Sequence, residues 1–257
     1  MNATGNTILI TGGSSGIGLE MARQLLARRN TVIITGRDAA RLASAQEALP
    51  GVHCFQSDVT DPEAIVALHA SVIAAFPALN VLINNAGVMR KIDLQDPAND
   101  VSTIGKEIET NLLGPVRMVQ QYLPHLLAQK RATIVNVSSG LAFVPMAVSP
   151  VYCATKAALH SYSQSLRLQL AGTSVEVVEV APPLTETPLG DAFTKEDTAG
   201  VKSMDVAELA RHAIEGCVRG TKEVKPGLSR ALYLLGRVAP SFGAKQLGKS
   251  VAAMRRG

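Results

Sequence analysis

The sequence predicts a doubly wound α/β fold, an open and mostly parallel sheet with helices on both faces. Short apolar runs such as Thr7-Ile8-Leu9-Ile10-Thr11 and Thr31-Val32-Ile33-Ile34-Thr35 read as strands buried on both sides. The first of them runs directly into Gly12-Gly13-Ser14-Ser15-Gly16-Ile17-Gly18 and then a helical pattern to about Arg29, the strand, glycine turn and helix that open such folds. A length of 257 residues suits one α/β domain with one large sheet, and no internal repeat, low-complexity tract or linker divides it.

Composition narrows the class. With 47% hydrophobic and 18% charged residues the chain is globular. A mean hydropathy of +0.18 would suit a membrane protein, yet no run of about 20 apolar residues could span a bilayer. No stable membrane insertion is expected. A strand pattern already begins at Thr7, so no signal peptide is read there and a cytoplasmic location is expected. Cys54, Cys153 and Cys217 lack the spacing of a metal site and read as buried packing residues. His53, His69, His125, His160 and His212 are scattered without ligand spacing, and no metal is expected. A G-x-S-x-G elbow and a Walker lysine are absent, which removes hydrolase and kinase readings.

The charge of +4 is uneven. From Val224 onward there are seven bases and no acid, so the rest of the chain is slightly acidic. A basic, partly apolar tail could attract an anionic membrane or nucleic acid. It reads better as a solvated extension, from about residue 228, that packs subunits, so a homo-oligomer without nucleic acid is expected.

Along the chain, glycines in the first turn let the backbone approach a pyrophosphate, whose charge meets the amides of the following helix. A third strand, Val52-His53-Cys54-Phe55, leads to Asp58 and Val59, and a fourth, Asn80-Val81-Leu82-Ile83, leads to Asn84-Asn85-Ala86-Gly87. Asp58 could instead cap the turn before Pro62. Ser139 follows the strand-like run from Thr133 to Ser138, thirteen residues before Tyr152. Tyr152 and Lys156 are four apart, which puts phenol and ammonium on one helix face. A phenol titrates near pH ~10, and bringing it to neutrality takes about 4 kcal/mol. An ammonium at about 4.5 Å supplies a Coulomb energy of similar size at an effective dielectric of about 20. Lys156 alone is thus expected nearly to suffice. Asn111 sits in a helical segment interrupted by Gly114-Pro115, where a proline without an amide hydrogen would free the Asn111 carbonyl.

Together, T-G-x-x-x-G-I-G, N-N-A-G and the set Asn111, Ser139, Tyr152 and Lys156 resemble the classical short-chain dehydrogenase/reductase family, over about Thr7 to Gly227. The resemblance implies a Rossmann-type sheet of seven strands and reversible hydride transfer between NADP(H) and a small carbonyl or alcohol. Tyr152 would donate the proton, Ser139 would hold the substrate oxygen, Lys156 would bind the nicotinamide ribose, and Asn111 would support a water. Gly12, Ser14, Ser15, Gly16, Ile17, Gly18, Asp58, Val59, Asn85, Ala86, Gly87, Tyr152 and Lys156 would line the cofactor site, with Asp58 accepting from the adenine. At the end of the second strand Gly36 stands where an acid would repel a 2′-phosphate, and Arg37 offers a cation suited to it, unless Arg37 pairs with Asp38. NADP is therefore expected over NAD. After a sixth strand, Val175 to Val180, the family's P-G-x-V-x-T becomes Pro182-Pro183-Leu184-Thr185-Glu186-Thr187, which implies Pro182, Thr185 and Thr187 at the cofactor, with the motif's threonine, Thr187, near the carboxamide. That double proline is similar to a DltE-like bacterial subgroup.

Residues from about 186 to 202, with Gly190 and Gly200 at the ends, suit a lid. The pocket walls are expected from Met89, the run Leu141-Ala142-Phe143-Val144-Pro145-Met146, and Leu184 to Phe193. These favour hydrophobic ketones or aldehydes, while Arg90 and Lys91 leave acidic substrates open. A 3-oxoacyl carrier-protein reductase and a non-catalytic NADP sensor are the alternatives. Glu179, in a strand expected to be buried, has no partner visible in the sequence.

Overall fold

The structure, a computed structural model, describes residues 1–191, 193–194, 197–198 and 201–248, so Gly200 at the end of the expected lid and Lys249, Arg255 and Arg256 of the tail lie outside it. In chain order the elements are β1 (Thr7–Thr11), α1 (Gly16–Ala27), β2 (Thr31–Gly36), α2 (Ala39–Ala48), β3 (His53–Gln56), α3 (Pro62–Ala75) and β4 (Leu79–Asn84). Then come α4 (Val101–Ile104), α5 (Lys106–Ile108), a π-helical turn (Glu109–Leu113), α6 (Gly114–Leu127), β5 (Ala132–Val137), α7 (Pro150–Gln169) and β6 (Val175–Val180). The chain continues through α8 (Val206–Val218), β7 (Glu223–Val224), α9 (Leu228–Val238) and α10 (Pro240–Leu247).

The seven strands form one sheet in the order β3-β2-β1-β4-β5-β6-β7, every pairing parallel. Apolar strands need cover on both faces, and helices supply it. Ile8, Ile10, Val32 and Ile34 meet α1 and α8 on one face, while Leu9, Ile33, Leu82 and Ile134 meet α3, α6 and α7 on the other. Each such side chain, fully removed from water, contributes about 1.5–3 kcal/mol. The chain winds outward from β1 to β3, then restarts at β4 on the other side of β1. This reversal opens a crevice at the carboxyl ends of β1 and β4, where α/β sheets bind ligands.

Local signals set the helix starts. Asp38, Asp61 and Asp205 accept backbone N–H bonds at the beginnings of α2, α3 and α8, and α3, α7 and α10 carry proline in the first turn. Near Asn111 the chain departs from expectation. The hydrogen-bond ladder widens to five-residue spacing before Pro115, with the Gly114 amide donating to the Glu109 carbonyl. The four-residue spacing from which a free Asn111 carbonyl was expected therefore does not hold at Gly114. The tail also differs from a solvated extension. α9 and α10 fold back onto the turn after β5, so closely that a Cβ on Gly236 would stand 2.4 Å from the Phe143 carbonyl oxygen. Among the described residues no helix is long and apolar enough to cross a membrane.

Candidate active site

A cavity of about 530 Å³ occupies the crevice. Every residue expected from the sequence to line the cofactor site or carry the chemistry borders it, except Gly18 and Asn111. Those two stand directly behind its wall. A Cβ on Gly18 would come within 2.5 Å of both the Gly12 carbonyl oxygen and Asn85 Nδ2, so the start of α1 can press on the turn only without a side chain. Asn85 locks the same turn by donating from Nδ2 to the carbonyls of Thr11 (3.0 Å) and Gly12 (3.1 Å), while Thr11 Oγ1 accepts from the amides of Asn85 and Ala86. Asn84 donates to Asn136 on β5, which donates to Ser163 on α7, a buried polar ladder through the sheet's centre.

At the end of β2, Arg37 is exposed and, among the described residues, has no ion pair; Asp38 instead caps α2 and pairs with Arg41 at 3.6 Å. Arg37 and Arg41 both border the cavity. Asp58 Oδ1 accepts from the amide and hydroxyl of Thr60, both at 2.9 Å, and the capping of α3 falls to Asp61. Thr185 Oγ1 donates to the Pro183 carbonyl at 2.8 Å, and the Gly140 amide donates to the Pro182 carbonyl at 2.8 Å, which ties the double proline to the turn after β5.

The other end of the cavity is built from side chains. Ser139 Oγ accepts from the Leu141 amide at 3.1 Å and is also hydrogen-bonded to the Tyr152 phenol. Tyr152 and Lys156 lie one turn apart on α7, both buried, with Lys156 Nζ 5.6 Å from the Tyr152 ring centre. Lys156 Nζ donates to the Val137 carbonyl at 2.9 Å. Asn111 Oδ1 accepts from the Val88 amide, and its Nδ2 donates to the Val88 carbonyl and to Thr155 Oγ1. Its side chain therefore ties the loop after β4 to α7. Gly87 passes between, where a Cβ would meet Asn111 Oδ1 at 3.4 Å and Lys156 Nζ at 3.7 Å.

Electrostatics correct one expectation. Burial pushes the Tyr152 phenol up to about 12, although the Ser139 hydrogen bond pulls it down. Burial likewise pushes Lys156 down to about 8, although Glu179 holds it up. Burial is the largest cause of both shifts, so Lys156 alone does not bring the phenol toward neutrality.

The walls differ from expectation as well. Met89, Leu141, Met146, Leu184, Leu189 and Phe193 face the cavity, but Ala142, Phe143, Val144 and Pro145 do not. Phe143 packs edge-on against His160 and Tyr233, and Val144 is buried. Arg90 is held against Glu107 and Lys91 against Asp197, so neither offers its charge to the cavity. Leu228, Leu232 and Leu247 complete the wall. These three were missed, although the apolar spacing of Leu228, Leu232 and Leu235 signals an amphipathic helix that must cover something. Cys153 packs against the Met146 backbone, and burial raises its thiol to about 11. Glu179 also gains partners, Ser138 and His160.

The comparisons fit this geometry. A family model for short chain dehydrogenases matches residues 6–198. The uncharacterized oxidoreductase DltE of Bacillus subtilis (strain 168) is 46% identical over 224 residues, 87% of this chain and 89% of that protein. A short chain dehydrogenase from Burkholderia cenocepacia J2315, solved in complex with NADP, superposes with a TM-score of 0.83 at 23% identity, over 96% of this chain and 99% of that one. A short chain dehydrogenase/reductase from Burkholderia phymatum, solved in complex with NAD, gives 0.82 at 21% identity, over 92% and 95%. With a family match across most of its length and a relative nearly half identical, the chain belongs to the short-chain dehydrogenase/reductase family of oxidoreductases, within its DltE-like group.

Proposed function

We propose that the chain is an NADP(H)-dependent reductase that interconverts a hydrophobic ketone or aldehyde and its alcohol. The carrying observation is one cavity with the glycine turn and an unpaired Arg37 at one end and Ser139, Tyr152 and Lys156 at the other. The residues present fit a dinucleotide. Gly12 and Gly16 put no side chain on the turn at their positions beside the start of α1, where a diphosphate would meet backbone amides and the hydroxyls of Ser14 and Ser15. Arg37, without a partner among the described residues, is left to meet a 2′-phosphate. Asp58, Val59, Asn85 and Ala86 would border the adenosine, while Pro182, Thr185 and Thr187 would border the nicotinamide.

Bound there, the cofactor supplies the hydride. The chain's own residues handle position and proton. Ser139 Oγ holds the carbonyl oxygen beside the phenol, and Tyr152 gives that oxygen its proton. Lys156, charged below about pH 8, binds the ribose and stabilises the phenolate left behind. Asn111 keeps the loop after β4 against α7, so that Gly87 and Lys156 retain their spacing. The apolar wall from α9, with Leu189 and Phe193, selects against charged substrates and excludes water. Of the lid expected at about 186–202, the described Leu189 and Phe193 border the cavity and would close over it. A patch of Leu94, Ile108, Leu112 and Val151 on the far side of α7 supports a homo-oligomer.

A panel of alkyl and aryl ketones, aldehydes and acyl thioesters, read by NADPH absorbance, tests the reading. Turnover of uncharged carbonyls with NADPH well above NADH is expected. Turnover confined to acyl thioesters would replace it with the carrier-protein reductase, and no turnover with intact NADPH binding would leave a sensor.

A further inference from the structure

Tyr152, Lys156, His160 and Gln164 follow one another at four-residue steps along α7 and so form one stripe. The proposed chemistry uses the first two. The other two face β6, where Glu179 is fully buried. Glu179 Oε1 accepts from Ser138 Oγ at 2.5 Å, and Glu179 Oε2 lies 2.7 Å from His160 Nδ1. His160 Nε2 lies 3.0 Å from Gln164 Nε2.

With the Gln164 amide nitrogen turned toward His160, as it stands here, His160 Nε2 accepts and Nδ1 donates to the Glu179 carboxylate. In that arrangement the imidazole is neutral. It orients Glu179 without cancelling its charge. Glu223 from β7, Lys225 just after it and Arg167 from α7 also surround the cluster, but Lys225 and Arg167 both pair with Glu223. A metal does not fit either. Ligand atoms of His160, Glu179 and Glu223 lie within 4.8 Å of one another, yet Lys225 already occupies Glu223. The buried cation left to balance Glu179 is Lys156, one turn from His160, its ammonium fixed to Val137 beside Ser138. The other groups around that ammonium, Tyr152, the Asn111 amide and Gly87, carry no countercharge at neutral pH.

We propose that Glu179, clamped by Ser138 and a neutral His160, is a positioning residue that serves as the countercharge of Lys156 and keeps its buried ammonium charged. The consequence for catalysis rests on the reductase reading; the pairing itself does not. A buried ammonium without a countercharge gives up its proton. The same carboxylate bonds the residue before Ser139, so it ties the charge of Lys156 to the strand end that carries the substrate-holding hydroxyl.

The test is Glu179→Gln, which removes the charge and keeps the shape. In the cofactor-free protein with ¹³C-labelled lysine, the Lys156 side-chain resonance, assigned through Lys156→Arg, should titrate at a pH at least about one unit below the wild type, a tenfold change in proton affinity. The alkaline fall of NADPH-dependent turnover should move down equally. Coupling is reciprocal, so Lys156→Met should raise the titration of the Glu179 carboxyl, a second readout should Glu179→Gln not fold. An unmoved lysine titration in folded Glu179→Gln, or an unmoved Glu179 titration in Lys156→Met, overturns the pairing. A shifted titration in a protein that reduces no carbonyl upholds the pairing and counts against the reductase reading alone.

Discussion

The two ends of the cavity are built from different materials. At the glycine end the working surface is largely backbone: Gly12, Gly16 and Gly18 carry no side chain where the turn is tightest, and Asn85 and Thr11 spend their polar atoms on fixing main-chain groups. At the far end the working surface is side chain. Ser139 projects from the turn after β5 and Tyr152 and Lys156 from α7, all three buried, with the acidities of Tyr152 and Lys156 shifted by that burial, and the wall arrives from helices late in the chain. A backbone site is damaged by adding atoms, whereas a side-chain site is damaged by removing them. Substitutions at the two ends should therefore fail in opposite ways.

The largest effect is expected from deleting a single atom at the far end. Tyr152→Phe keeps the ring and removes the proton donor, so turnover should fall by about 10² to 10⁴, with NADPH Kd, followed by nicotinamide fluorescence, nearly unchanged. A variant retaining a tenth of wild-type kcat would break the contrast. Arg37→Ala is the exception at the glycine end, where one side chain reads the ligand. It should weaken NADPH by roughly 10- to 100-fold, about 1.5 to 3 kcal/mol, and leave NADH nearly as before. Equal weakening of both would show that Arg37 does not meet the phosphate.

Adding one carbon at the glycine end should act through packing. In Gly18→Ala the new Cβ meets the Gly12 carbonyl oxygen and Asn85 at 2.5 Å. Overpacking of this kind costs about 1 to 3 kcal/mol, visible as a lower Tm and a weaker Kd for NADPH and NADH alike. The smallest effect is expected from Leu232→Ala on α9, which removes part of the apolar wall. Losing about 1 kcal/mol of contact with an apolar ketone should lower kcat/KM about five- to tenfold, with cofactor Kd unmoved. A shift in Kd instead would place α9 at the wrong end of the cavity.

The same contrast explains what could be read from the sequence. Backbone function leaves a local signature, because a strand followed by Gly12 to Gly18 or Asn84 to Gly87 is legible within a few residues, and the first six strands were found within a residue or two. Side-chain pairs at helical spacing, Tyr152 with Lys156, were legible for the same reason. What escaped depends on distance in the chain. Nothing local to Glu179 indicates that Ser138 and His160 converge on it, and nothing local to Leu228 says which face of α9 meets the cavity. The pH range of Tyr152 and Lys156 escaped too, since burial, not the spacing of the two charges, sets the larger part of their acidities.

The proposal that the two ends form one reductase site is tested most directly with NADPH carrying deuterium at both positions of the reactive carbon of its nicotinamide ring. Wild-type enzyme is incubated with the best ketone of the panel, and the product alcohol is read by mass spectrometry. One deuterium on the carbinol carbon is the expected result. Alcohol formed without the label, or label released into water, would contradict it.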